Sequence, residues 1–151
     1  MLRDTFTEEL KLAMKAGEKR RLATVRLIQA ALKDRDIEAR GAGKEKITDE
    51  EILSLLQKMI KQRQESAAVY EQGNREDLAR QEREEIEIIS GFLPKQMDEA
   101  EMKAAIVAVV EEIGAAGIKD MGRVIAALKE RFAGRMDFGK ASGLVKAALS
   151  A

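Results

Sequence analysis

Pro94 is the only proline in 151 residues, and on both sides of it apolar side chains recur at three- and four-residue spacing. That is the period of one helix face, and no stretch alternates apolar and polar residues as a half-buried strand does. Good helix formers (Ala, Leu, Glu, Lys, Arg, Gln) fill the intervening positions. The chain is therefore expected to be all-α, with its breaks set by glycine and by Pro94.

The first helix is expected to start near Met1 or Thr5 and run to about Ala16, with Phe6, Leu10, Ala13 and Met14 on its apolar face and Gly17 as its break. The second spans roughly Glu18 to Ala39, with Leu22, Val25, Ile28, Ala31 and Leu32 facing inward. Beside that face Arg26, Gln29 and Lys33 make a polar stripe, suited to an anion or to plain solvent. The following GAGKEK segment, Gly41 to Lys46, only superficially resembles a phosphate loop. Glu38 stands where the first glycine is required, and Glu45 where Ser or Thr must follow the lysine. Thr48 and Glu51 then form a capping box that launches the third helix.

The stretch from Lys58 to Pro94 reads as a helical hairpin. Gly73 is expected as a left-handed C-cap and Asn74 as the next N-cap, with Asp77 in the first turn. Gly91 closes the outgoing helix, and Pro94 prevents its continuation. The apolar stripe runs Ile52, Leu55, Leu56, Met59 and then meets Arg63; on the return it runs Leu78, Glu82, Glu85, Ile86, Ile89. Antiparallel helices pivoting at Gly73 bring Arg63 opposite position 83 or so, so an ion pair of Arg63 with Glu82 or Glu85 is expected between them. Such a pair fixes helix register; a functional charged site is the competing role.

After Pro94 the texture shifts to small apolar residues. Lys95-Gln96-Met97 reads as a linker. Asp98 with Glu101 caps a helix faced by Met102, Ala105, Ile106, Val109, Val110 and Ile113. Asp120 caps another with Met121, Val124, Ile125, Leu128 and Phe132; Asp137 caps a last one with Ala141, Leu144, Val145, Ala148 and Leu149. Two domains follow: a helical one over 1–94 containing the long antiparallel hairpin, and a three-helix one over 95–151, near the lower size limit for independent stability.

The chain contains no histidine and no cysteine. This removes thiol nucleophiles, Ser-His triads, imidazole acid–base chemistry, histidine- or cysteine-ligated zinc and disulfides. No cofactor and no metal site is expected. Paired carboxylates such as Glu84/Glu85 and Glu111/Glu112 point about 100° apart on a helix and do not converge. No apolar run reaches the ~18 residues of a membrane span, and MLRDTFTEEL has no signal-peptide pattern, so the cytoplasm is the expected compartment. Formal net charge is zero, yet Lys11 to Arg35 holds eight basic residues against two acids, and Lys119 to the end holds seven against three. The segment from Glu65 to Glu112 is acidic. Two basic regions thus flank an acidic one, a distribution that polyanions read.

Four segments carry a family resemblance: TVRLIQAALK (Thr24 to Lys33), the whole of Lys58 to Pro94, KDMG (Lys119 to Gly122) and GRMDFGKASGLVKAAL (Gly134 to Leu149). Together they make the chain similar, over essentially its whole length, to the YqeY family of small bacterial proteins. That family is related to the C-terminal helical and tail region of the B subunit of tRNA-dependent amidotransferase. The resemblance implies an all-α protein whose tail contacts tRNA, in a family labelled carbon–nitrogen ligase with glutamine as amido-N-donor. The activating domain and the glutaminase nucleophile of that chemistry are absent from this sequence, so no catalytic residue is assigned. The tRNA-contacting candidates are Lys119, Arg123, Arg135, Lys140 and Lys146. Phe138, beside Gly139, is the one candidate base-stacker, with core packing as its competing role. The alternative function is a protein-interaction adaptor whose acidic hairpin presents a helix face to an amidotransferase or synthetase component.

Overall fold

In the computed structural model, residues 1–150 are described. Among them are seven α-helices, one 3-10 turn and no strand, which makes the protein all-α. The helices are α1 (Leu2–Ala16), α2 (Lys19–Gly41), α3 (Asp49–Gln72), α4 (Glu76–Ser90), α5 (Glu99–Ile113), α6 (Met121–Phe132) and α7 (Phe138–Ser150); the 3-10 turn is Ile118–Asp120. The chain divides into two compact units between Leu93 and Pro94.

In the first unit α1 packs on α2, and the α3–α4 hairpin packs against α2. Phe6, Val25, Ile28, Leu32, Ile47, Ile52, Leu56 and Ile89 form its core. Phe6 meets Phe92 edge-on at 5.1 Å, and the Arg21 guanidinium lies 5.7 Å from the Phe92 ring. Met14, expected on the inner face of α1, is 56% exposed, because the inward stripe is set by Phe6 and Ala13 instead. Along α3 the core ends at Met59 and the partly buried Ile60, and on α4 Ile89 is its one buried member. Beyond them the hairpin is two helices packed on each other, with Ala67 and Ala79 buried.

The hairpin turn differs from the sequence expectation by one residue. Gly73 has φ −86°, an ordinary conformation, and Asn74 takes the left-handed position at φ 58°. The hydrogen bonds show why. Asn74 N–H donates to Glu71 O at 3.1 Å and Arg75 N–H to Tyr70 O at 2.8 Å, so the residue after Gly73 closes the helix. Asn tolerates that region better than other residues with a Cβ. Asn74 is therefore not an N-cap; Arg75 precedes α4, with no side-chain cap.

In the second unit α5, α6 and α7 pack on one another around Met102, Ile106, Val109, Val124, Leu128, Met136, Ala141, Val145 and Leu149. Met136 is fully buried although it lies in the loop before α7. Asp98 and Glu101 form the expected capping box. Asp137 Oδ1 accepts from the Gly139 and Lys140 N–H groups at 3.0 and 3.2 Å, capping α7. Ala148, expected inside, is exposed. Asp120 does not cap α6. It ends the 3-10 turn, and its carboxylate accepts from Ala116 N–H at 2.9 Å, closing the preceding loop instead. The segment after Pro94 is tied down within this unit. Met97 N–H donates to Arg135 O at 2.8 Å, and the Gln96 amide donates to Gly134 O.

Candidate nucleic-acid interface

Phosphate recognition needs cations that are exposed and not already neutralised. Lys119 lies in the 3-10 turn, which packs against both α6 and α7. Lys140 is in the first turn of α7 and Lys146 two turns on; all three lysines are exposed. None of them holds a carboxylate within 4 Å among the described residues, and neither does Lys129 on α6. Arg123 and Arg135 are differently placed. Arg123 Nη1 donates to Asp120 at 3.3 Å and Nη2 to Ile113 O at 3.5 Å, although its side chain is 63% exposed. Arg135 Nε donates to Lys95 O at 3.4 Å, so it holds the entry segment. Arg131 is bound to Glu112 at 2.6 Å. Phe138 is partly buried against the core of this unit.

The first unit holds the charged pair between α3 and α4. Arg63 Nε donates to Glu85 Oε2 at 2.9 Å, and Nη1 donates to Met59 O at 3.2 Å. The side chains of Arg63 and Glu85 are 15% and 9% exposed. Glu82 accepts no direct bond from Arg63. Its carboxyl is pushed up from the ordinary value by burial, then by the charge of Glu85, while Arg63 opposes both. No buried side-chain nitrogen or oxygen among the described residues lacks a partner, so the pair is fully satisfied.

The charge of the hairpin is largely spent internally. Arg83 bonds both Glu71 and Glu76, Arg75 meets Asp77 at 3.3 Å, and Arg20 of α2 reaches Glu84 at 3.2 Å. The outer face of α3 forms an open depression of about 420 Å³ lined by Gln62, Glu65, Ser66, Val69 and Tyr70. Its polar lining is the Glu65 carboxylate, the Ser66 hydroxyl, the Tyr70 phenol and the Gln62 amide, with no second acid among them. Among the described residues no group of three or more acidic side chains is placed to hold a metal ion. Among the described residues no helix is long and apolar enough to cross a membrane.

One polar cluster was not visible as a site in the sequence. Arg3 donates to both oxygens of Asp36, at 2.7 and 2.8 Å, and to Ile47 O at 2.9 Å; Ile47 N–H donates to Asp36 Oδ1 at 3.0 Å. The Arg3 hydrogen bonds, helped by Ile47 N–H, hold the Asp36 carboxyl at about 2 instead of 3.8. The available signal was Asp36 itself, a charge between Leu32 and Ala39 on the inner stripe of α2.

These features define a two-unit helical protein whose surface chemistry resides in charged side chains. The chain belongs to the YqeY family: the family described as "Yqey-like protein" matches residues 3–149. It is also similar to fungal proteins named "Altered inheritance of mitochondria protein 41, mitochondrial". The one from Pyrenophora tritici-repentis is 33% identical over 130 residues, covering 82% of this chain and 68% of the relative. Those from Lachancea thermotolerans and Clavispora lusitaniae are 35% and 37% identical, covering 70% and 71% of this chain and 56% and 61% of theirs. The chain thus spans little more than half the length of the latter two.

Proposed function

We propose that the protein is a non-catalytic tRNA-binding module connected with tRNA-dependent amidotransfer, acting in the cytoplasm and contacting RNA through its three-helix unit. The observation that carries this is the set of exposed, unneutralised lysines Lys119, Lys140 and Lys146, in the segment that resembles the amidotransferase tail. Arg123, exposed at the start of α6 where helix N–H groups also favour phosphate, is already paired with Asp120 and adds less than the three lysines. Arg135 belongs to the surface but serves first to hold Lys95. With no exposed aromatic shelf, recognition is of phosphate and shape. The adaptor reading is weaker, because arginines of the first unit neutralise much of the hairpin's acidity.

The test is titration of the purified protein with deacylated total tRNA at several salt concentrations. Binding should weaken linearly in log–log form as salt rises. Lys119→Gln with Lys140→Gln and Lys146→Gln should lower the magnitude of the slope by about 2 to 3 and leave the fold intact. Wild-type protein that binds no tRNA at low salt defeats the proposal.

A further inference from the structure

The first unit carries a second cationic surface that the tail resemblance does not cover. Of the eight basic residues between Lys11 and Arg35, three are paired: Arg20 with Glu84, Arg21 with Glu9 and Arg35 with Glu38. The other five, Lys11, Lys15, Lys19, Arg26 and Lys33, meet no carboxylate among the described residues and are exposed. Three of these recur at seven-residue spacing along α2: Lys19, Arg26 and Lys33. Seven residues are close to two turns, so the three share one line, about 10.5 Å apart and about 21 Å end to end. The inner face of the same helix is Thr24, Val25, Ile28, Leu32 and Ala39, which places the line on the opposite, solvent side. Ala23 and Ala30 lie between the cations and are also exposed, so nothing bulky stands above the strip.

We infer that the outer face of α2 is a second RNA-backbone contact, with Lys19, Arg26 and Lys33 as its phosphate ligands. The inference rests on the tRNA reading above. A bilayer surface fits less well: an interfacial helix inserts a continuous ridge of large apolar side chains beside its cations, and here alanines stand between them, with Leu27 and Ile37 as the exposed large apolar residues of the helix. An extended polyanion asks only for regularly spaced cations on a flat strip, and duplex RNA backbone can follow one for 21 Å. Each phosphate neutralised releases a counterion, so losing these three contacts should be felt in affinity and in its salt dependence.

The experiment uses the full chain with Lys19→Gln, Arg26→Gln and Lys33→Gln together, titrated with deacylated tRNA over a salt series beside wild type and the Lys119/Lys140/Lys146 variant. Glutamine keeps helix propensity and removes charge, and circular dichroism checks that the fold is intact. Affinity should fall about tenfold at low salt and the magnitude of the salt slope by about 2 to 3. A Lys19→Arg, Lys33→Arg protein, which keeps every charge, should bind as wild type. If wild type binds but the α2 variant has unchanged affinity and slope, this inference is overturned and the three-helix site stands. If only the α2 variant weakens, the three-helix site falls and α2 stands. Wild type that ignores tRNA sinks both. Vesicles containing phosphatidylserine provide the other arm: capture by them that needs the same three cations, with no tRNA dependence on those cations, would assign the strip to lipid and overturn the RNA contact.

Discussion

Arg63 is tied to Glu85 through Nε and to Met59 O through Nη1 at once, two donors that the planar guanidinium holds in a fixed fork. Arg63→Ala leaves Glu85 buried without its cation and should lower stability by about 1–3 kcal/mol, measured by chemical denaturation. Glu82→Gln tests the other member of the triad in the opposite direction. Folding raises the Glu82 pKa, so its charge is unfavourable above its unfolded value of 4.5, and the penalty is relieved as pH falls. The amide should therefore raise Tm at pH 7, with the gain fading below about pH 4.5. Asp36 has the reverse sign. Its pKa is depressed from 3.8 to about 2, so its contribution is complete above pH 3.8 and is lost as pH falls toward 2. After allowance for solvent screening this is about 1 kcal/mol, and it should be absent from the acid limb of Asp36→Asn. Interruption of an apolar stripe by charge was legible for Arg63. The Asp36 partner was not, because Arg3 lies 33 positions away and the seven-residue loop that brings Ile47 back is not periodic.

Helix endings explain both what was readable at the level of elements and what was not. Gly17 and Gly114 each take the left-handed position, followed by a residue whose N–H reaches back five positions. The break at Gly17 was readable in the sequence because glycine marked it. At the hairpin the same ending falls on Asn74, one residue past the glycine, and the mark misleads. A Cβ on Gly73 would meet only Val69 O at 3.6 Å and Tyr70 O at 3.8 Å, both ordinary contacts. Gly73→Ala should thus change stability by less than about 0.5 kcal/mol. Asn74→Ala places a residue without a local polar side chain in the left-handed region and should cost about 1 kcal/mol, whereas Asn74→Gly should be neutral or stabilising. Thermal melts of the three variants decide between the two registers. If Gly73→Ala is the costly one, the turn is where the sequence alone would put it.

At the scale of the whole molecule, the chain parts between Leu93 and Pro94, and the role of Lys95 to Met97 just after it was not legible in the sequence. That segment looks like a linker because it is polar and follows a proline. Its three backbone and side-chain ties to the Gly134–Arg135 turn, together with Met97 packed on the second core, make it the closing strap of the three-helix unit. Residue type does not disclose this, since the acceptors are carbonyls nearly forty positions away. The core of this unit is drawn from its own residues, so a fragment beginning at Pro94 should give a helical circular dichroism spectrum and a cooperative melt. A fragment beginning at Asp98 retains all three helices and both side-chain caps but loses the strap, including its three hydrogen bonds with Gly134 and Arg135. Each such bond is worth about 1 kcal/mol, a large share of the stability of a domain this size, so its Tm should fall by about 10 °C or more. Equal melting of the two fragments would make the segment a linker after all.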